Sequence, residues 1–222
     1  MSDEHSFVSR RKFLAGTLAG TAGLWINVSL PRPVAAAEAA EDQTPRVLTT
    51  FEWAQIEAIT GRIIPTDDTP GAIEAACVNF IDKALANEDA AALTLYRAAL
   101  KELDRVCRRG GEGGLGKGFA ESSEQRQDRI LSALETGSLS GWRDTVAGQQ
   151  AFFETVRLHT ILGFVLDPSY GGNRDYVGWK TMGFPGPVHH LGGSRPEQMR
   201  GEQAFVPIWQ RNQRGHRETG DH

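Results

Sequence analysis

Thr49-Thr50-Phe51-Glu52-Trp53-Ala54-Gln55-Ile56-Glu57-Ala58-Ile59-Thr60-Gly61-Arg62-Ile63-Ile64-Pro65 decides the fold class. Thr49 and Glu52 stand three apart, the spacing of a capping box in which each side chain accepts the other residue's backbone N–H. Trp53, Ile56, Ile59 and Ile63 then recur every three or four residues, the period of one helical face, and Pro65 has no N–H with which to continue the ladder. The stretch therefore predicts an amphipathic helix. The same period returns downstream. Ile73, Cys77, Phe80, Ile81, Ala84 and Leu85 form a second apolar stripe, with Thr69 as its expected N-cap and Pro70 at its first position. Leu93, Tyr96, Leu100, Leu103 and Val106 form a third, and residues 87–89 are expected to close these two helices into a hairpin. Ser122-x-x-Gln125 opens a short helix through Leu134, and Phe152, Val156, His159 and Gly163 line one face of a later one. No apolar-polar alternation of strand type accompanies them. The expected class is all-α, a small domain of about five helices.

Outside these stripes the composition changes. Residues 38–48 hold mostly Ala, Glu, Asp, Gln and Pro and read as a flexible linker, with order expected from Thr49. Gly110, Gly111, Gly113, Gly114, Gly116 and Gly118 forbid regular structure, and no strand or Gly-Lys-Ser/Thr step makes them a phosphate cradle. From Leu166 onward glycine, proline and aromatics replace the helical period. This predicts a long irregular C-terminal extension. Tyr170, Tyr176, Trp179, Phe184, Phe205 and Trp209 are too apolar for a solvated tail, and only the stretch from Gln210 reads as disordered. The expected organisation is a leader over 1–37, a linker over 38–48, a helical domain over 49–187 and an extension over 188–222.

The leader is identified by Ser9-Arg10-Arg11-Lys12-Phe13-Leu14, paired arginines immediately ahead of an apolar run. Residues 13–28 carry Gly16, Gly20 and Gly23 and fall short of the roughly 20 apolar residues of a membrane span. Pro31-Arg32-Pro33 interrupts the run and Ala35-Ala36-Ala37 offers a small-residue cleavage site. Arg10, Arg11, Phe13 and Leu14 are thus expected to mark a twin-arginine export signal cleaved after Ala37. The destination is the periplasm. That route carries chains already folded, so a cofactor or a partner must be acquired before export.

Charge and cysteine content remove several function classes. The chain carries a net charge of −4, and the leader's Arg10, Arg11, Lys12 and Arg32 outnumber Asp3 and Glu4, so the remainder is more acidic still. An acidic surface without a basic and aromatic stripe argues against nucleic acid. Only Cys77 and Cys107 are present, too few for a thiolate zinc site or a four-cysteine cluster. Both fall on helices predicted to neighbour one another, where they either bridge or sit as two separate core residues. No Gly-x-Gly-x-x-Gly follows a strand and no Cys-x-x-Cys-His occurs, so no flavin, nicotinamide or haem cofactor is expected in this chain.

Few residues suggest chemistry of their own. His159 lies on an apolar face, the setting of a hydrogen-bonded structural histidine, and the adjacent His189 and His190 lack a third metal ligand nearby. Asp67 and Asp68 precede a helix start and read as turn and cap residues. The sharpest local motif is Asp167-Pro168-Ser169-Tyr170-Gly171-Gly172-Asn173, where Asp-Pro and Gly-Gly-Asn each demand special backbone geometry within one loop. Asp167 is expected to bond the amides of its own turn. Gly178-Trp179-Lys180 and Gly183-Phe184-Pro185-Gly186-Pro187 follow.

These residues, with Arg62-Ile63-Ile64-Pro65-Thr66-Asp67-Asp68, Pro70-Gly71-Ala72 and Phe80-Ile81-Asp82, make the chain resemble the gluconate 2-dehydrogenase subunit 3 family across most of residues 49–187. The resemblance implies a non-catalytic small subunit of a membrane-associated periplasmic dehydrogenase that oxidises a sugar or sugar acid. It implies a large FAD-bearing partner of the glucose-methanol-choline type, a multihaem cytochrome c subunit carrying haem c, and the twin-arginine translocase. The small subunit would escort the flavin-loaded one through export and stabilise it. Asp167, Tyr170, Gly171, Gly172, Asn173, Trp179 and Phe184 are the expected partner-binding residues, as clustered aromatics on glycine-bent backbone. Two other classes stay open. A metal-assisted hydrolase would draw on Asp67, Asp68, His159 and Asp167, and a stand-alone carbohydrate-binding module on Trp179 and Tyr170 as stacking platforms.

Overall fold

A computed structural model describes residues 44–109, 116–143, 147–184 and 186. The expected leader with Arg10, Arg11, Phe13 and Leu14, residues 110–115, His189, His190 and the expected extension over 188–222 lie outside the described residues. Among the described residues there are six α-helices and no strand: α1 (Thr50–Ile63), α2 (Cys77–Ala86), α3 (Ala92–Arg109), α4 (Glu124–Thr136), α5 (Gln149–Val165) and α6 (Val177–Met182). None is long and apolar enough to cross a membrane.

The capping box of α1 forms as expected. Glu52 N donates to Thr49 Oγ1 at 3.2 Å and Thr49 N donates to Glu52 Oε2 at 2.7 Å. Ile56 and Ile59 are fully buried, each removal from water stabilising the fold by about 1.5–3 kcal/mol. In the last turn of the helix Arg62 reaches α4, with Nε 2.7 Å from Asp128 Oδ1 and Nη1 2.7 Å from Glu124 Oε2.

The second helix starts later than its stripe predicts. Asp67 Oδ1 accepts from both the backbone N–H and the hydroxyl of Thr69, so Thr69 is held in a turn and is not the N-cap of α2. Residues 72–76 run as turns, with Ala72 N donating to Ile64 O, and the helix begins only after Ala76, which adopts a left-handed backbone with φ 54°. Ile73 therefore leaves the stripe and stands 51 % exposed. The turn at residues 87–89 exists, since Asn87 N and Asp89 N both donate to Ala84 O. However, α2 and α3 do not close face to face as a hairpin. Each packs instead on α5 and α1.

Helix α5 is the hub, in contact with each of the other five α-helices. The predicted face of Phe152, Val156, His159 and Gly163 is buried along its whole length. The fourth helix runs from Glu124 to Thr136; Ser122 Oγ donates to Gly118 O rather than capping it, and Gly137 ends it at φ 70°. Order also reaches further upstream than expected. Leu48 is buried in the main core, and the backbone N–H groups of Arg46, Val47 and Leu48 donate to the Asp82 carboxylate at 2.6, 3.1 and 2.9 Å. The end of the expected linker is thus fastened to α2.

Both cysteines are free and buried. Cys77 belongs to a small cluster with Ile64, Ala72, Ala75 and Phe164, whereas Cys107 belongs to the main core. Of the two readings left open for the pair, the separate one describes this structure. Burial pushes the Cys77 thiol well up and the Cys107 thiol to about 11, so neither is a thiolate at neutral pH.

Candidate functional site

The loop after α5 folds back onto that helix. Asp167 Oδ1 accepts Ser169 N at 3.0 Å, capping a single 3-10 turn over Pro168–Tyr170, which Gly171 ends at φ 100°. Gly171 O in turn accepts Asn79 Nδ2 of α2 at 2.8 Å. The chain then approaches α5 backbone to backbone. A Cβ on Gly172 would overlap the carbonyl oxygen of Gly163, and one on Gly178 would overlap that of Phe164. Gly172 is required by this approach and not by a positive φ.

Asn173 organises the closure. It is fully buried with φ 46°, a left-handed conformation that Asn tolerates better than most side chains. Its N–H donates to Gly163 O at 2.7 Å and its Nδ2 to Leu166 O at 2.8 Å, while Oδ1 accepts Gly178 N at 2.8 Å. One side chain thereby satisfies polar groups at both the end of α5 and the start of α6. Arg174 N donates to Ala75 O, fixing the same loop to the turn before α2.

Helix α6, which the loss of period after Leu166 concealed, delivers Trp179. The indole is 3 % exposed, its Nε1–H donates to Val165 O at 2.8 Å, and its ring stacks on Tyr176 and meets Phe184 edge-on at 5.2 Å. Asp167, Gly172, Asn173 and Trp179 are therefore buried in this chain's own fold, which corrects the expectation that they stand out as a block. The accessible rim is smaller. It consists of Phe184 at 40 % exposure and Met182 at 41 % at the end of the segment, while Tyr170 and Gly171 at its start are half-buried. Burial, then the nearby Asp167 carboxylate, holds the Tyr170 and Tyr176 phenols above their ordinary range, so both are neutral hydrogen-bonding groups.

Three of the four residues of the hydrolase reading are engaged separately, and the fourth, Asp68, is exposed on the turn beside Asp67. Asp67 holds Thr69, Asp167 holds Ser169, and His159 bridges Tyr96 and Asp89 inside the core. Among the described residues no group of three or more His, Cys, Asp or Glu is placed to hold a metal ion. Trp179 and Tyr170 do not form a pair of open platforms either, because the indole is covered. His159 is the hydrogen-bonded core histidine that its apolar face predicted; sequence reasoning missed its buried partner Tyr96 and the buried carboxylate of Asp82. The available signal was a polar residue on an apolar stripe: Asp82 follows Ile81, and Tyr96 and His159 lie on their helices' buried faces.

A family model described as gluconate 2-dehydrogenase subunit 3 matches residues 50–186. No curated protein and no solved structure matches the chain. The matched span starts with α1 and ends just past Phe184, so it takes in both the helical core and the closing segment.

Proposed function

The chain belongs to the gluconate 2-dehydrogenase subunit 3 family, and from that premise we propose that it is the non-catalytic small subunit of a periplasmic, membrane-associated dehydrogenase that oxidises a sugar or sugar acid. The catalytic partner is a large FAD subunit of the glucose-methanol-choline type, and a multihaem cytochrome c subunit takes the electrons onward. This chain carries neither cofactor. Its task is to escort the folded, flavin-loaded partner through the twin-arginine translocase and to stabilise it afterwards.

The observation that carries the reading is the family match over the whole described domain together with Ser9-Arg10-Arg11-Lys12-Phe13-Leu14 ahead of it. An export route for folded proteins is explained if the partner, rather than this chain, needs cytoplasmic assembly. The partner docks on the rim of the closing segment, at Phe184, Met182, Tyr170 and Gly171. Asp167, Gly172, Asn173 and Trp179 shape that rim from beneath.

Replacing Arg10 and Arg11 together by lysine tests the escort role. Periplasmic dehydrogenase activity is expected to disappear, with both this chain and the flavoprotein recovered from the cytoplasm. Undiminished periplasmic activity in the double variant overturns it.

A further inference from the structure

Helix α5 carries one titratable group into the core. His159 is buried, with Nδ1 3.0 Å from the Tyr96 hydroxyl of α3 and Nε2 3.0 Å from Asp89 Oδ2 on the turn between α2 and α3. Tyr96 is fully buried, its ring edge-on to Phe152 and nearly parallel to the imidazole. From α2 the imidazole is met by the edge of Phe80, which does not titrate. Asp89, with a side chain 42 % exposed, connects this chain of groups to solvent.

Counting donors and acceptors selects one protonation state. Asp89 is acceptor-only when ionised, so Nε2 must carry a proton; Nδ1 is then the acceptor that the buried Tyr96 O–H requires. The neutral imidazole satisfies all three groups. A second proton on Nδ1 would face the tyrosine oxygen and turn its O–H toward apolar neighbours, leaving a buried donor unsatisfied.

We infer that the Asp89–His159–Tyr96 chain is an acid-sensitive latch, which fastens α3 and the α2–α3 turn to α5 while His159 is neutral and weakens when it takes up a proton. The inference concerns the domain itself and does not depend on the accessory-subunit reading. Two influences on the imidazole oppose each other. Burial lowers its pKa and is the larger, whereas the Asp89 charge and its hydrogen bond raise it. The folded value thus lies below that of the unfolded chain, about 6.5. A group depressed in the folded state contributes stability above the unfolded pKa and loses it as pH falls toward the folded one. The latch therefore holds at pH 7 and above and gives way progressively below about 6.5.

The test follows imidazole resonances of the full-length chain by NMR from pH 8 to 5, with His159→Asn to assign the signal among the six histidines. The His159 midpoint is expected below those of the other five. Tyr96→Phe removes the donor to Nδ1 and is expected to raise that midpoint, whereas Asp89→Asn removes the stabilising charge and is expected to lower it, each by at least ~0.5 unit. The wild-type melting temperature is expected to fall between pH 7 and 5 by more than that of His159→Asn. A wild-type midpoint at or above the ordinary value overturns the inference whether or not Tyr96→Phe and Asp89→Asn fold. So do shifts of the same sign in Tyr96→Phe and Asp89→Asn.

Discussion

The helices α1 to α4 and the segment over residues 166–184 both cover α5, but by opposite means. The helices satisfy their own backbone ladders and present side chains, so Ile56, Ile59, Phe80, Ile81 and Leu134 fill the space between axes. The closing segment brings backbone against backbone. Gly172 and Gly178 remove the side chains that would separate the strands of main chain, and Asn173 supplies the hydrogen bonds that no helix provides there. Aromatic content alone does not distinguish a docking surface from such a closure, because an indole with a satisfied N–H is as well suited to a core as to an interface.

The largest test of this comparison sets Trp179→Ala beside Phe152→Ala, one aromatic from each region. If the closing segment is core, both cost about 3–5 kcal/mol in urea unfolding of the full chain. A Trp179 variant within about 1 kcal/mol of wild type would return the indole to the surface, since exposed substitutions rarely cost more. A smaller effect, about 1–3 kcal/mol, is expected for Gly178→Ala, in which the added methyl overlaps a carbonyl oxygen of α5 and the segment must shift. Amide exchange should then rise over residues 173–184 while α1 to α4 stay protected, showing that the two regions open separately. Smallest is Thr49→Ala, which removes the capping bond from Glu52 N and the exposed hydroxyl's bond to Glu52 Oε2 and should cost about 1 kcal/mol. Its exchange signature belongs to the first turn of α1, leaving the closing segment untouched.

The same contrast explains what could be read from the residues. Period 3.6 located five helices because each buries one face, and Phe152, Val156, His159 and Gly163 on α5 are buried as that period requires. Starts were harder to place. Thr69 and Pro70 carry every sign of a helix entry, yet Ala76 in the left-handed region postpones it, and nothing in an alanine announces that conformation. In the motif at residues 167–173, glycines and an asparagine signalled unusual backbone, which was correct, without revealing that the backbone is bent toward α5. That depends on close approach to Gly163 and Phe164, residues whose own helix gives no hint of it. Helix α6 spans only Val177–Met182 and is too short to establish a period, and Tyr96 and His159 meet although 63 residues separate them.

Asp82 has a mechanical meaning beyond its place in the core. Its carboxylate grips residues 46–48 by three backbone N–H groups, so tension applied to the chain ahead of residue 46 enters the domain at that clamp and passes directly into α2. The three bonds converge on one anchor and share the load, and the capping box of α1 immediately behind them is shielded from it. A domain pulled from its N-terminal side would thus be loaded through its buried interior, with the first helix spared from being peeled away turn by turn.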